Sequence, residues 1–219
     1  MFLFEKKSFR ITAAGVEPDA LELIETCNGA FRSFRIVNRG DKPCRIREAV
    51  VLSLPHTFPA DTRIYGEGFN MLSQYWGTLE EIESTAYTDR DHYRLPVCKG
   101  FFTCYNLLHL FPSAGSPVLG GFSSCRRFTN EIRFNRERIE FAVDCEGTEI
   151  PAYGSLELEE LYLSRAGGRE EQLAEFAARL AANHPPLPYS EPVTGWCSWY
   201  CYYANLTEHA VYTNLDEMK

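Results

Sequence analysis

The 219-residue chain carries 22 Lys plus Arg against 30 Asp plus Glu, a formal net charge of −8, so a nucleic-acid surface or an anionic membrane is disfavoured as a partner. No apolar run approaches the roughly 20 residues of a membrane span, and residues 1–7 hold no apolar region long enough for a signal peptide. With 45% hydrophobic residues the composition is that of a globular protein with one sizeable core, and a cytoplasmic location is expected.

Residues 1–165 read as β structure. Apolar and polar residues alternate over 9–12 and over 21–23, ahead of the Asn28-Gly29 turn signal. Residues 31–37 form a further strand, 38–43 a turn-rich break, and 46–54 a strand ending in an apolar run. From 55 to 99 the pattern is irregular. Tyr65, Phe69, Tyr75 and Trp76 lie there beside Gly66, Gly68 and Gly77, on what reads as a long loop. Such a loop either presents a placed surface or seals a sheet edge with its aromatics. Residues 101–111 and 118–122 are apolar runs. Ile132 and Phe134 then face Ile139 and Phe141 across residues 135–138, a hairpin pattern. Leu156, Leu158, Leu161 and Leu163 form one more strand, with a change of phase at Glu159-Glu160 that suggests a bulge. So many strands without an intervening helix imply two packed antiparallel sheets.

Residues 166–192 form a linker. Leu173, Phe176, Ala177 and Leu180 make a helical stripe from 169 to about 183, with Glu170 and Glu171 in the first turn. Pro185, Pro186, Pro188 and Pro192 then make a semi-rigid spacer. Residues 193–219 read as strand, loop and helix. Trp196, Ser198 and Tyr200 alternate with Cys197, Trp199 and Cys201, both faces largely apolar, as in a strand buried on both sides. Asn205-Leu206-Thr207 can cap a helix whose face carries Val211, Leu215 and Met218.

The eight cysteines are scattered, which favours reduced thiols over a disulfide framework. Cys197 and Cys201 have no His or Cys following at zinc-ligand spacing. His92 sits among carboxylates in a stretch that reads as a solvated loop. Neither a metal nor a cofactor is expected.

Gly195-Trp196-Cys197-Ser198-Trp199-Tyr200, followed by Tyr202-Tyr203 and a Thr-Glu helix start, resembles the opening of the catalytic barrel in glycoside hydrolase family 36, the α-galactosidases that also include raffinose synthases. Tyr65-Gly66-Glu67-Gly68-Phe69-Asn70-Met71-Leu72-Ser73-Gln74 resembles a second family segment, in the N-terminal domain. The resemblance implies a β-supersandwich (1–165), the linker helix (166–192) and the first βα unit of a truncated (β/α)8 barrel (193–219). It implies a parent enzyme that hydrolyses α-linked galactosides with retention and without cofactor. Retaining glycosidases need two carboxylates about 5 Å apart. The resemblance puts both on later barrel strands, so no catalytic residue is assigned and the chain alone is expected to be inactive. Glu67 reads as structural.

The resemblance makes Trp199 and Tyr200 part of a galactose pocket wall, at the strand end where barrel enzymes bind substrate, with core packing as the alternative for Trp199; Trp196 reads as core. Where many relatives carry Gly-aromatic-Gln-Ser-Trp-Ser, this chain has Phe69 to Ser73 without Trp, and Tyr75 or Trp76 becomes the expected sugar contact. Two alternatives stand: a free-standing carbohydrate-binding or assembly β-sandwich, and a fragment of a raffinose synthase-like transglycosidase. The expected partners are α-galactoside oligosaccharides, and a severed barrel unit would promote self-association.

Overall fold

A computed structural model describes residues 8–15, 18–70, 73–84, 93, 95–186, 192 and 194–218. It divides into two units, one running to Pro185 and the other from Pro186.

The first unit is mainly β. A five-stranded antiparallel sheet has the order β1 (Ser8–Ala14), β4 (Cys44–Pro55), β12 (Arg138–Ile150), β11 (Thr129–Phe134) and β8 (Phe102–Cys104). The second, nine-stranded sheet runs β13 (Ser155–Glu157), β3 (Phe31–Asn38), β14 (Leu161–Ser164), β10 (Val118–Phe122), β9 (Leu107–Phe111), β5 (Arg63–Glu67), β6 (Gln74–Gly77), β7 (Ile82–Ser84), with β2 (Leu21–Asn28) beside β3. Every ladder among the described residues is antiparallel.

The hairpin read from the sequence forms in the expected register, Phe134 opposite Ile139 and Ile132 opposite Phe141. Both sheets contribute apolar side chains to one core, which holds Ile36, Ile46, Leu52, Leu110, Ile132, Phe134, Phe141 and Leu161. Burial of such side chains stabilises the fold by about 1.5–3 kcal/mol each. The outer face of the smaller sheet is charged. Arg133 donates to Glu48 (2.5 Å) and Glu131 (2.8 Å), and Ser53 donates to Glu140 (3.0 Å). Alternation along each strand thus puts the core on one face and an ion ladder on the other.

Two expectations change here. The strand read through 156–163 is two strands, β13 and β14, both paired to β3. The phase change between them turns the carboxylate of Glu159 inward, where it accepts from the amides of Arg127 (2.8 Å) and Phe128 (3.1 Å). The long loop over 65–78 is a hairpin, with Gly66 opposite Tyr75 and Glu67 opposite Gln74.

The helix expected as a linker, α1 (Arg169–Asn183), is a third layer on the larger sheet. Phe176 packs with Leu107, Leu119 and Tyr162, flanked by Phe31, Leu173 and Leu180. A Cβ on Gly121 would meet the Phe176 ring at 2.8 Å, so the glycine lets the helix seat this close. Buried His109 bonds Gln172 at 2.9 Å, and Gly168 N–H donates to Glu171 at 2.8 Å at the helix start.

In the second unit the strand expected over 193–203 does not form among its described residues, 194–203. Residues 194–198 are irregular and Trp199–Tyr202 is one helical turn, α2. A barrel strand needs a hydrogen-bonded strand on each side, and none is supplied within these residues. The backbone is instead satisfied locally, with the amides of Cys201 and Tyr202 donating to Ser198 O at 3.2 and 3.0 Å. The expected second helix does form, as α3 (Glu208–Glu217), and Thr207 caps it by accepting from Ala210 N–H at 3.2 Å. No helix among the described residues is long and apolar enough to cross a membrane.

Candidate functional site

Strand alternation on β5 sends Tyr65 and Glu67 to one face and Gly66 to the other. A side chain at Gly66 would collide with the Cys104 sulfur. The Tyr-Gly-Glu sequence therefore lets β5 lie close over the core while presenting two polar groups outward. Tyr65 donates from its hydroxyl to Glu67 Oε1 (3.3 Å) and Asn106 Nδ2 donates to Oε2 (3.0 Å). The Tyr105 amide donates to the Glu67 carbonyl at 2.9 Å. Glu67 thus ties β5 to the turn between β8 and β9. Partial burial, and then the Glu67 charge, push the Tyr65 hydroxyl above the usual phenol range, so it stays a donor.

Beyond Glu67 the hairpin tip closes with Gly68 N–H on Ser73 O at 2.5 Å. Phe69, exposed by about half, stands edge-on to Tyr105 (centroids 5.4 Å apart, 80°) and packs on Tyr93 at 5.4 Å. Met71 and Leu72, part of the second family segment, lie outside the described residues, as do Asp89, Asp91, His92, Pro188 and Val193.

Phe69, Tyr105 and Asn106 form one side of a cleft of about 340 Å³, and Cys125 to Asn130, on the loop from β10 and the start of β11, complete it. Asn130 is buried. Its Nδ2 donates to Ser124 O (3.1 Å), and its Oδ1 has no partner. An unmet buried acceptor costs about 1–3 kcal/mol, and this oxygen is shut off from solvent. Aromatic faces beside planar polar groups suit a sugar, whose C–H faces pack on rings and whose hydroxyls bond amides and guanidinium groups.

The four residues expected to contact sugar fall into two sets. Tyr75 is half-buried, edge-on to Phe102 and Phe134 at 5.9 and 6.1 Å, and packs on the core. Trp76, next along β6, is 39% exposed. Tyr75 thus seals the core, while Trp76 lies on the opposite face of the strand. In the second unit Trp199 and Tyr200, 57% and 81% exposed, lie on α2. Trp199 stands edge-on to Tyr203 at 5.4 Å, and Trp196 to Tyr202 at 6.0 Å. Tyr202 accepts from Asn214 at 2.9 Å.

Tyr105, Asn106, Arg126, Arg127 and Asn130 were not singled out from the sequence. Their signals were faint: a polar interruption in the apolar run 101–111, and a basic doublet between apolar strands.

No family model and no curated protein matches the chain. Solved structures of α-galactosidases do. The enzyme from Lactobacillus brevis aligns over 99% of this chain and 34% of its own, at 10% identity and a TM-score of 0.46. A GH36 α-galactosidase variant from Geobacillus stearothermophilus, solved in complex with stachyose, aligns over 80% and 30%, at 13% identity and 0.42. The galactosidase domain of an α-galactosidase–sucrose kinase aligns over 94% and 34%, at 15% identity and 0.43. The chain spans about a third of the length of these proteins.

Proposed function

We propose that this chain is the N-terminal part of a family 36 α-galactosidase-type glycosidase, and that the cleft between Phe69 and Arg127 is a saccharide-contacting rim of it. The carrying observation is the convergence of Phe69, Tyr105, Asn106 and Arg126 on one cleft. The Gly195–Tyr203 motif supports the enzyme reading beside it. In this reading the rings of Phe69 and Tyr105 take a sugar's apolar face, and Asn106 and Arg126 take its hydroxyls. The bond-breaking carboxylates, which retaining chemistry needs as a pair, come from later barrel strands. The 219 residues bind but do not hydrolyse.

The cleft lies wholly within the first unit, which favours a carbohydrate-binding module as the second reading. Saturation-transfer NMR with melibiose tests the rim. Transfer to the galactosyl protons is expected, lost in Phe69→Ala with the circular dichroism spectrum unchanged. No transfer in the parent chain would sink the rim. Release of nitrophenol from an aryl α-galactoside above buffer controls would contradict the division of labour.

A further inference from the structure

Cys125 lines the cleft, and the proposed saccharide contact leaves its thiol unused. Cys125 is exposed, like Cys27, Cys197 and Cys201. What distinguishes it is its surroundings. His184, the residue that ends α1, places Nε2 at 3.9 Å from the Cys125 sulfur and at 3.3 Å from the Cys125 amide nitrogen. Because the amide donates, Nε2 must be the acceptor nitrogen and the ring proton sits on Nδ1. The single Nε2 lone pair is thus shared between the amide, at 3.3 Å, and the thiol, at 3.9 Å.

Both partners are fixed. On the Cys125 side, Ser123 donates to Glu160 (2.7 Å), Ser124 bonds Glu159, and the amides of Arg127 and Phe128 donate to Glu159. On the His184 side, its amide donates to Leu180 O at 2.8 Å, Asn183 Nδ2 donates to Ser123 O at 2.8 Å, and Arg126 donates to Asn183 O at 3.0 Å. The loop and the helix end are stitched together around the thiol–imidazole pair. Arg126 and Arg127 follow Cys125 directly and line the same cleft. Glu159 and Glu160 are taken up by serine hydroxyls, backbone amides and Arg179; an exposed thiol with an imidazole and arginines beside it is how reactive cysteines are built.

We infer that Cys125 is a modification site that forms a mixed disulfide with a small, carboxylate-bearing disulfide of the glutathione class. His184 Nε2 takes the thiol proton as the Cys125 sulfur attacks one sulfur of the disulfide. The new S–S bond forms as the old one breaks. The departing thiolate leaves with the electron pair and is reprotonated from His184. Cys125 is oxidised and one half of the small disulfide is reduced, with no other oxidant required. The arginines hold the carboxylates, and the adduct occupies the cleft. The inference stands whether or not a saccharide binds there.

The test uses the reduced 219-residue chain and oxidised glutathione, with adducts at each cysteine followed by time-resolved peptide mapping. Cys197 and Cys201 in the same molecule are the reference thiols. Cys125 is expected to react about tenfold faster than either. His184→Gln, which keeps an acceptor for the amide, is expected to bring it to their rate with the thermal transition retained. Arg126→Gln with Arg127→Gln is expected to slow glutathione but not the uncharged hydroxyethyl disulfide. A Cys125 rate equal to that of Cys197 and Cys201 in the parent chain overturns the inference, and this comparison needs no variant. So does a folded His184→Gln chain that reacts as before.

Discussion

Glu160 shows how one side chain sets a pH dependence. Arg179 donates to both its oxygens (2.8 and 2.5 Å), and Ser123 and Asn183 donate as well. Arg179 first, then those neighbours, hold its carboxyl down to about 2. A folded value below the ordinary one gives stability that is present above the ordinary carboxylate range and lost as pH falls through the folded value. Burial lowers His56 and His109 below the usual imidazole range, and the sign is the same: they begin to cost stability once pH drops below that range. Thermal melts from pH 7 to 2 should show an early decline from the two histidines and a later one below the ordinary carboxylate value. Glu160→Gln should lower the melting temperature at neutral pH, with the difference vanishing near pH 2; an unchanged gap at pH 2 would contradict it. Trp76 gives the second residue-scale prediction. Truncating a buried Trp costs about 3–5 kcal/mol, whereas Trp76 is 39% exposed. Trp76→Ala should therefore move the denaturant midpoint little, while Tyr75→Ala, which removes the contacts to Phe102 and Phe134, should move it clearly.

At the scale of the element, α1 is the layer that covers the outer face of the larger sheet, and Phe176 is its anchor. Phe176→Ala should destabilise the first unit by about 3–5 kcal/mol. Hydrogen exchange should show α1 losing protection ahead of the sheet strands; uniform loss would mean the helix is no separate layer. The stripe of Leu173, Phe176 and Leu180 made this helix legible in the sequence, because its period is local. Its partner was not: Gly121, Leu119 and Tyr162 come from strands whose own pattern says nothing of a helix above them. The β11–β12 hairpin was legible for the same local reason. The β5–β6 hairpin was not, since Gly66 and Gly77 masked the alternation that marks a strand. The strand expected at 193–203 failed from the opposite cause. Its residues have strand chemistry, but a strand needs neighbours, and pairing is not a local property. Little of the cleft was legible: Phe69 lay in a motif, none of the four expected sugar contacts lines it, and Tyr105 to Arg127 came together only once the loops were placed.

For the whole molecule, the division at Pro185 and Pro186 predicts that residues 1–185 keep a cooperative thermal transition after the rest is removed. A broad, non-cooperative melt of that truncation would refute it. The second unit leaves Trp199, Tyr200, Leu215 and Met218 exposed, and apolar surface of this kind promotes association. Light scattering of the 219-residue chain should show concentration-dependent self-association that the truncation abolishes; a monomer at high concentration would count against it. The position of β4 between β1 and β12 has a consequence for biosynthesis. Ala49 pairs with Val143, and Leu54 with Ile139. Translation runs at about 5–20 residues per second, so the apolar stretch Val50 to Leu54 leaves the ribosome on the order of 5–20 s before the strand that covers it. β1 can dock early on one edge, but the other edge stays open through that interval. An edge left open that long is where the nascent chain is most exposed to wrong pairing, more than at any hairpin, whose two halves emerge together.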